Sequence, residues 1–134
     1  MRNKEKFIVI LKPDGFRRKL IGKIINRFEE KGFDILDIKT ETLSVKILEE
    51  HYVHLKEKVF FQDIVDYMTS GPVVIIAMEG LNGIEAARML AGSTNSAQAD
   101  PGSIRGTWAL TIDENVIHVS DSVENGEHEY IRFF

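Results

Sequence analysis

Two unbroken runs of β-forming apolar residues constrain this chain more than any other feature. They are Phe7-Ile8-Val9-Ile10-Leu11 and Val73-Val74-Ile75-Ile76-Ala77. Each is short and has no polar position, so each reads as a buried strand. Lys12 ends the first, and Pro13-Asp14-Gly15 follows as a turn; Gly71-Pro72 turns the chain into the second. The stretches around them supply cover. Leu20 or Ile21, Ile24, Ile25 and Phe28 recur at helical spacing, with Gly32 where a C-cap belongs. Phe33 to Leu43 alternates with one irregularity, which predicts another strand. Ser44 can cap a helix through Ile47 and Leu48. Phe60, Phe61, Ile64, Val65 and Met68 form a further helical stripe. Asn82 with Glu85 has the spacing of a capping box for a helix through Ala86, Ala87 and Leu90. Residues 91–114 are largely aperiodic, and a loop of that length in a compact domain tends to be functional. Asn115 to Val119 reads as a fourth strand, and Asp121 and Glu124 can cap a last helix.

The resulting order, β-α-β-α-α-β-α-β-α, contains two βαβ halves. It predicts an α+β ferredoxin-like sandwich, a four-stranded antiparallel sheet with helices packed on one face. No repeat or Pro/Gly/Ser-rich linker divides the 134 residues, so one domain is expected over 1–134. The net charge of −4 predicts no nucleic-acid or membrane partner, and an anionic ligand would need a local cluster of Lys and Arg. The chain has no cysteine, which excludes disulfides, thiol catalysis and thiolate metal sites. No apolar run is long enough for a signal peptide or a membrane span, so a cytoplasmic protein is expected.

The chemistry concentrates at a few residues. Of the four histidines, His51 and His54 are three apart on a predicted helix and could share a metal, but no third ligand lies nearby in sequence. His118 differs: it ends a predicted strand, with Ser120, Asp121 and, one helix later, Glu129 close behind. A histidine with one nitrogen fixed by such groups can present the other as a nucleophile. Lys12 ends a strand, and Arg88, Thr94 and Arg105 flank or occupy the long loop and together could bind phosphate oxygens. There is no Walker-type phosphate loop and no GxGxxG, so any nucleotide must be held by another scaffold. Phe60-Phe61 could offer an aromatic face to a base.

Asn115-Val116-Ile117-His118-Val119-Ser120-Asp121-Ser122 resembles the active-site signature of nucleoside diphosphate kinases. Lys12-Pro13-Asp14-Gly15, His51-Tyr52, Phe60-Phe61, Ser70-Gly71-Pro72, Glu79-Gly80, Thr94-Asn95, Pro101-Gly102 and Ile104-Arg105-Gly106 match that family in type and order. The resemblance implies the ferredoxin-like fold and a ping-pong transfer of the terminal phosphate from a nucleoside triphosphate to a nucleoside diphosphate. It implies His118 as phosphate acceptor through Nδ1, with Glu129 on its other nitrogen. Lys12, Tyr52, Arg88, Thr94, Arg105 and Asn115 would contact phosphates or ribose hydroxyls. Phe60 and Ile112 would sandwich the base with little preference, and Ile64 would add apolar contact. Mg2+ would arrive on the nucleotide phosphates, with Asp121 reaching it through water and no direct protein ligand. Self-association into tetramers or hexamers is implied too. The chain departs from the family pattern at Val119, where Gly or Ala is usual, at Val59 and Ser96, where Pro is common, and at Thr107, where Asp is usual. Two other readings share these residues: a catalytically weak nucleotide-binding member of the same fold, and a ligand-binding regulatory module in which His118 is incidental. Formation of a phosphoenzyme separates them.

Overall fold

The computed structural model describes residues 3–134. Its four strands are β1 (Lys4–Leu11), β2 (Asp34–Glu41), β3 (Val73–Leu81) and β4 (Ile117–Val119), and its helices are α1 (Pro13–Arg17), α2 (Ile21–Glu30), α3 (Val45–His51), α4 (Phe61–Met68), α5 (Gly83–Ala91), α6 (Ile104–Trp108) and α7 (Val123–Phe133). The sheet order is β2-β3-β1-β4 and every pairing is antiparallel. The two apolar runs are thus the two central strands. The irregularity in the second predicted strand is a register shift between Ile35 and Asp37.

Helices cover both faces of this sheet, not the one face expected from the sequence. Strand alternation sorts the side chains into two cores. Phe7, Val9, Leu11, Val74, Ile76, Ile117 and Val119 point to one side, where α2 and α5 pack through Ile24, Phe28, Ala87 and Ala91. Ile8, Ile10, Val73, Ile75 and Ala77 point to the other, where α3, α4 and α7 pack through Leu48, Met68 and Phe133. The second layer comes from the long connection after β2 and from the chain end, neither of which a βαβ count distinguishes from the first.

Four local expectations are corrected. Pro13-Asp14-Gly15 is not a free turn but opens the short helix α1, with Pro at its first position. Asn82 forms no side-chain cap; it sits at φ 50°, and Glu5 of β1 accepts from Ile84 N at 3.0 Å in its stead. The last helix is capped by Ser122, which accepts from Asn125 N at 3.1 Å, while Asp121 accepts from the Asn125 amide. Residues 91–114 are not structureless: they hold a short 3-10 turn at Ser96–Gln98 and α6, whose N-cap is Ser103. The Ser44 cap and the turn after α2 are as expected, Gly32 taking φ 100°. No helix among the described residues is long and apolar enough to cross a membrane.

Candidate active site

Strand alternation decides which way His118 points. In β4, Ile117 and Val119 enter the first core, so His118 between them turns to the other face, opposite Ile10. Val119, 5% exposed, packs in the first core with no positive φ and borders the cleft, its carbonyl accepting from Arg88 at 3.4 Å. Of the helices that cover the His118 side, α3 and α7 each bring a polar group to it. Helix α7 lies close against β1 because Gly126 has no side chain: a Cβ there would stand 3.0 Å from the Lys6 carbonyl oxygen. Three residues on, Glu129 meets the ring, with His118 Nε2 3.1 and 3.0 Å from its two oxygens. Ser120, fully buried, donates to Glu129 Oε1 at 2.6 Å and accepts from Ile8 N at 2.8 Å. Burial pushes the Glu129 carboxyl up, but the His118 bond and charge, the Ser120 bond and the nearby His51 outweigh it and hold the group below the usual carboxylate value. An ionised Glu129 accepts only, so Nε2 carries the proton. Nδ1 has no hydrogen-bond partner among the described residues.

A cleft of about 1560 Å3 opens beside His118 and is lined by Lys12, Arg88, Thr94, Arg105 and Asn115. A smaller pocket of about 420 Å3 adjoins it through Lys12, Tyr52 and Thr94 and holds Phe60, Ile64 and Ile112. The structure therefore gathers the residues that the resemblance names into two adjoining pockets, while Phe61, the other half of the aromatic pair, lines neither. Asp121 lies at its exposed edge, its carboxyl held below the usual value first by the Asn125 bond. Phe60 and Ile112 are 45% and 54% exposed, so both rim side chains are free to meet a ligand.

Lys12 is held by a side chain and Arg105 by backbone carbonyls. Lys12 Nζ donates to Asn115 Oδ1 at 2.8 Å, and Asn115 Nδ2 donates to the Ile112 carbonyl at 2.9 Å. Lys12 N donates to Val116 O at 2.8 Å. Val116 itself is at φ 75°, in a three-residue turn closed by Ile117 N to Asn115 O at 2.8 Å. A β-branched residue rarely adopts that backbone. Arg105 donates to Gly92 O at 2.7 Å and Ile117 O at 2.6 Å, which ties α6 to β4 and leaves its buried Nε without a partner. Burial, with Arg88 beside it, lowers Arg105 to about 10; burial, with Arg105 beside it, lowers Lys12 to about 8. Tyr52 is raised to about 12, first by burial and then by Glu129. This is a concave site in which Lys12, Arg88 and Arg105 stand near His118, an arrangement that can meet an anionic ligand.

Sequence reasoning missed one residue and gave two others different partners. Ser120 was noted only as a neighbour of His118. His51 does not pair with His54; it is buried on α3 with its ring edge-on to His118 at 4.7 Å. Arg132, three residues beyond Glu129 on α7, donates to His51 Nδ1 at 3.0 Å. The signal for Arg132 was its spacing from Glu129 on one helix face, legible only once the facing helix is known.

Residues 5–134 match the family model described as nucleoside diphosphate kinase. The chain is 48% identical to a nucleoside diphosphate kinase of Acetivibrio thermocellus over 97% of this chain and 96% of that protein. It is 46% identical to nucleoside diphosphate kinase A 1 of Bos taurus over 100% of this chain and 88% of that one. Among solved structures, the Aquifex aeolicus nucleoside diphosphate kinase superposes with a TM-score of 0.94 at 36% identity, covering 98% of this chain and 96% of that one. The enzyme from Encephalitozoon cuniculi gives 0.95 at 38%, covering 97% and 88%.

Proposed function

The chain belongs to the nucleoside diphosphate kinase family, and from that premise we propose a ping-pong phosphotransfer through His118. A nucleoside triphosphate gives its terminal phosphoryl group to His118, and a nucleoside diphosphate takes it away from the same pocket. The supporting observation is the His118–Glu129 pair, which fixes the proton on Nε2 and leaves Nδ1 as the free lone pair. Nδ1 attacks the terminal phosphorus, and the bond to the bridging oxygen breaks as the diphosphate leaves. Positive charge that develops on the ring is stabilised through Nε2–H by Glu129, itself steadied by Ser120. The acceptor's terminal oxygen then attacks the phosphohistidine, breaking the P–N bond and restoring neutral His118. Lys12, Arg88 and Arg105 neutralise phosphoryl oxygens, Thr94 and Asn115 donate to phosphate or ribose, and the Tyr52 hydroxyl adds a donor.

The donor set suits a Mg2+ ion that comes with its nucleotide: Lys12, Arg88 and Arg105 line the cleft, and Asp121 is a carboxylate at its rim, beside His118 in sequence and held below its usual value first by the Asn125 bond. Asp121 would hold the ion through water, and the ion would neutralise phosphate charge. Self-association, a cytoplasmic location and a single domain over residues 1–134 belong to the same reading.

The decisive experiment is incubation with labelled ATP. An acid-labile, alkali-stable phosphoprotein should form, and His118→Asn should abolish it and the exchange reaction while nucleotide binding persists. Normal turnover in His118→Asn would exonerate this ring. Phe60, Ile64 and Ile112 offer apolar contact and no base-edge donor, so base preference should be slight. Stacking is worth about 1–3 kcal/mol per base and tolerates any base. Phe60→Ala should therefore raise Kd by similar factors for adenine, guanine, cytosine and uracil nucleotides; a loss confined to one base would contradict the sandwich.

A further inference from the structure

Behind His118, on its Glu129 side, two imidazoles converge on one carboxylate oxygen. His118 Nε2 is 3.0 Å and His51 Nδ1 is 3.8 Å from Glu129 Oε2. The three groups lie within 4.8 Å of one another, close enough to hold a metal ion. A cation already stands against them: Arg132 reaches His51 Nδ1 at 3.0 Å, and its Nε lies 4.0 Å from Glu50 on α3. A guanidinium can only donate, so His51 Nδ1 must accept. The His51 proton is then on Nε2, the ring is neutral, and its 3.8 Å approach to Glu129 is not an ion pair. The surroundings agree. Burial first, then His118, Arg132 and Lys12 lower His51 to about 3 against the pull of Glu129.

We propose that Arg132 is a positioning residue: by occupying His51 Nδ1 it holds that ring in its neutral Nε2–H form and reserves Glu129 for His118. Without the guanidinium, the buried Nδ1 would face Glu129 Oε2 with no partner. The ring would then take a proton at Nδ1, by tautomer exchange or by protonation, and donate it to that oxygen. Two rings would compete for one carboxylate, and His118 would lose part of the anchor that fixes its nucleophilic nitrogen. The charged and titratable groups facing His51 are His118 from β4, Glu129 and Arg132 from α7, and Lys12 after β1, beside its neighbours Glu50 and Tyr52 on its own segment. Among the described residues, only Arg132 bonds to its ring.

This inference rests on His118 as phosphate acceptor, and its test reads the rings separately from the chemistry. In 1H–15N spectra of the unphosphorylated protein between pH 5 and 8, His51 should be the neutral Nε2–H form throughout. In Arg132→Leu it should carry a proton on Nδ1 or titrate within that window. Single-turnover phosphorylation of His118 by ATP should slow about tenfold, as is typical when the partner orienting a histidine is disturbed, and should gain a new pH dependence. Arg132→Gln keeps an N–H donor and should retain the His51 form and most of the rate; it also serves if Arg132→Leu fails to fold. In a His51→Phe background, Arg132→Leu should change the rate by less than about twofold, since there is no Nδ1 left to occupy. The proposal is overturned if His51 stays in the neutral Nε2–H form in Arg132→Leu, or if that substitution slows both backgrounds equally. A parent protein that forms no phosphohistidine would instead overturn the proposed function, and the spectra would still decide the His51 form.

Discussion

Lys12 is the residue whose burial and task conflict most directly. It ends a buried strand, yet its ammonium is the cation nearest Asn115 in the cleft. Burial, then the Arg105 charge, brings its pKa from 10.5 to about 8 against the opposing pull of Asp14 and Asp113. The folded value lies below the unfolded one, so the unliganded protein sheds this proton more readily than the open chain. The sign follows: between pH 8 and 10.5 the unfolded chain binds more protons, and the stability contribution of Lys12 rises with pH across that window. In the proposed site, nucleotide phosphates would reverse the balance, because they favour the charged ammonium. Nucleotide binding should therefore take up a proton above pH 8, and affinity should weaken as pH climbs. Calorimetric titration at pH 9 in two buffers of different ionisation enthalpy would measure the uptake. It should disappear in Lys12→Met; undiminished uptake in that variant would assign the proton elsewhere.

At the scale of elements, the sequence was most legible where one residue type has one job. The apolar runs became central strands, Ser44 became an N-cap, and Gly32 ended α2 with positive φ. It misled where a partner distant in sequence took over a local role. Asn82 and Glu85 had capping-box spacing, but Glu5 from the neighbouring strand reaches the helix N-terminus first and frees Asn82 for a left-handed turn. The residues that line the candidate site were named one by one through the resemblance of their motifs, whereas the contact of His51 with Arg132 is visible only from the packing of α3 against α7. The turn at Val116 shows the same limit, since nothing in a run of β-formers announces positive φ. Such a backbone costs a non-glycine residue about 1–3 kcal/mol. Here the turn aims Asn115 at Lys12 while the Val116 side chain is fully buried. Alanine at 116 loses that burial and keeps the strain; glycine loses the burial but relieves the strain. Urea unfolding should find Val116→Gly more stable than Val116→Ala by about 1 kcal/mol, inverting the usual advantage of Ala over Gly. The normal order would mean the turn carries no strain.

For the whole molecule, the two-sided sheet separates chemistry from surface. His118 rides on β4 at one edge, and β2 forms the other edge, with β3 and β1 between them. At roughly 4.8 Å per strand the two edges are about 14 Å apart. Strand β2 keeps Leu36 and Ile38 46% and 47% exposed, the former at the register shift. An exposed apolar edge strand is a ready surface for another chain, and soluble proteins ordinarily protect it. The proposed self-association would give that edge its cover. Light scattering of the parent should report a mass above the 15.3 kDa of one chain. Replacing Leu36 and Ile38 with lysine should lower that mass, because two buried ammonium groups at an interface would be left without partners. The distance from β2 to β4 adds a second expectation: phosphorylation of His118 per chain should stay within about twofold, as for well-separated sites. A parent that is already a single chain would remove self-association from the proposed function. A dissociated variant that also stopped phosphorylating would show that assembly reaches across the sheet to shape the cleft.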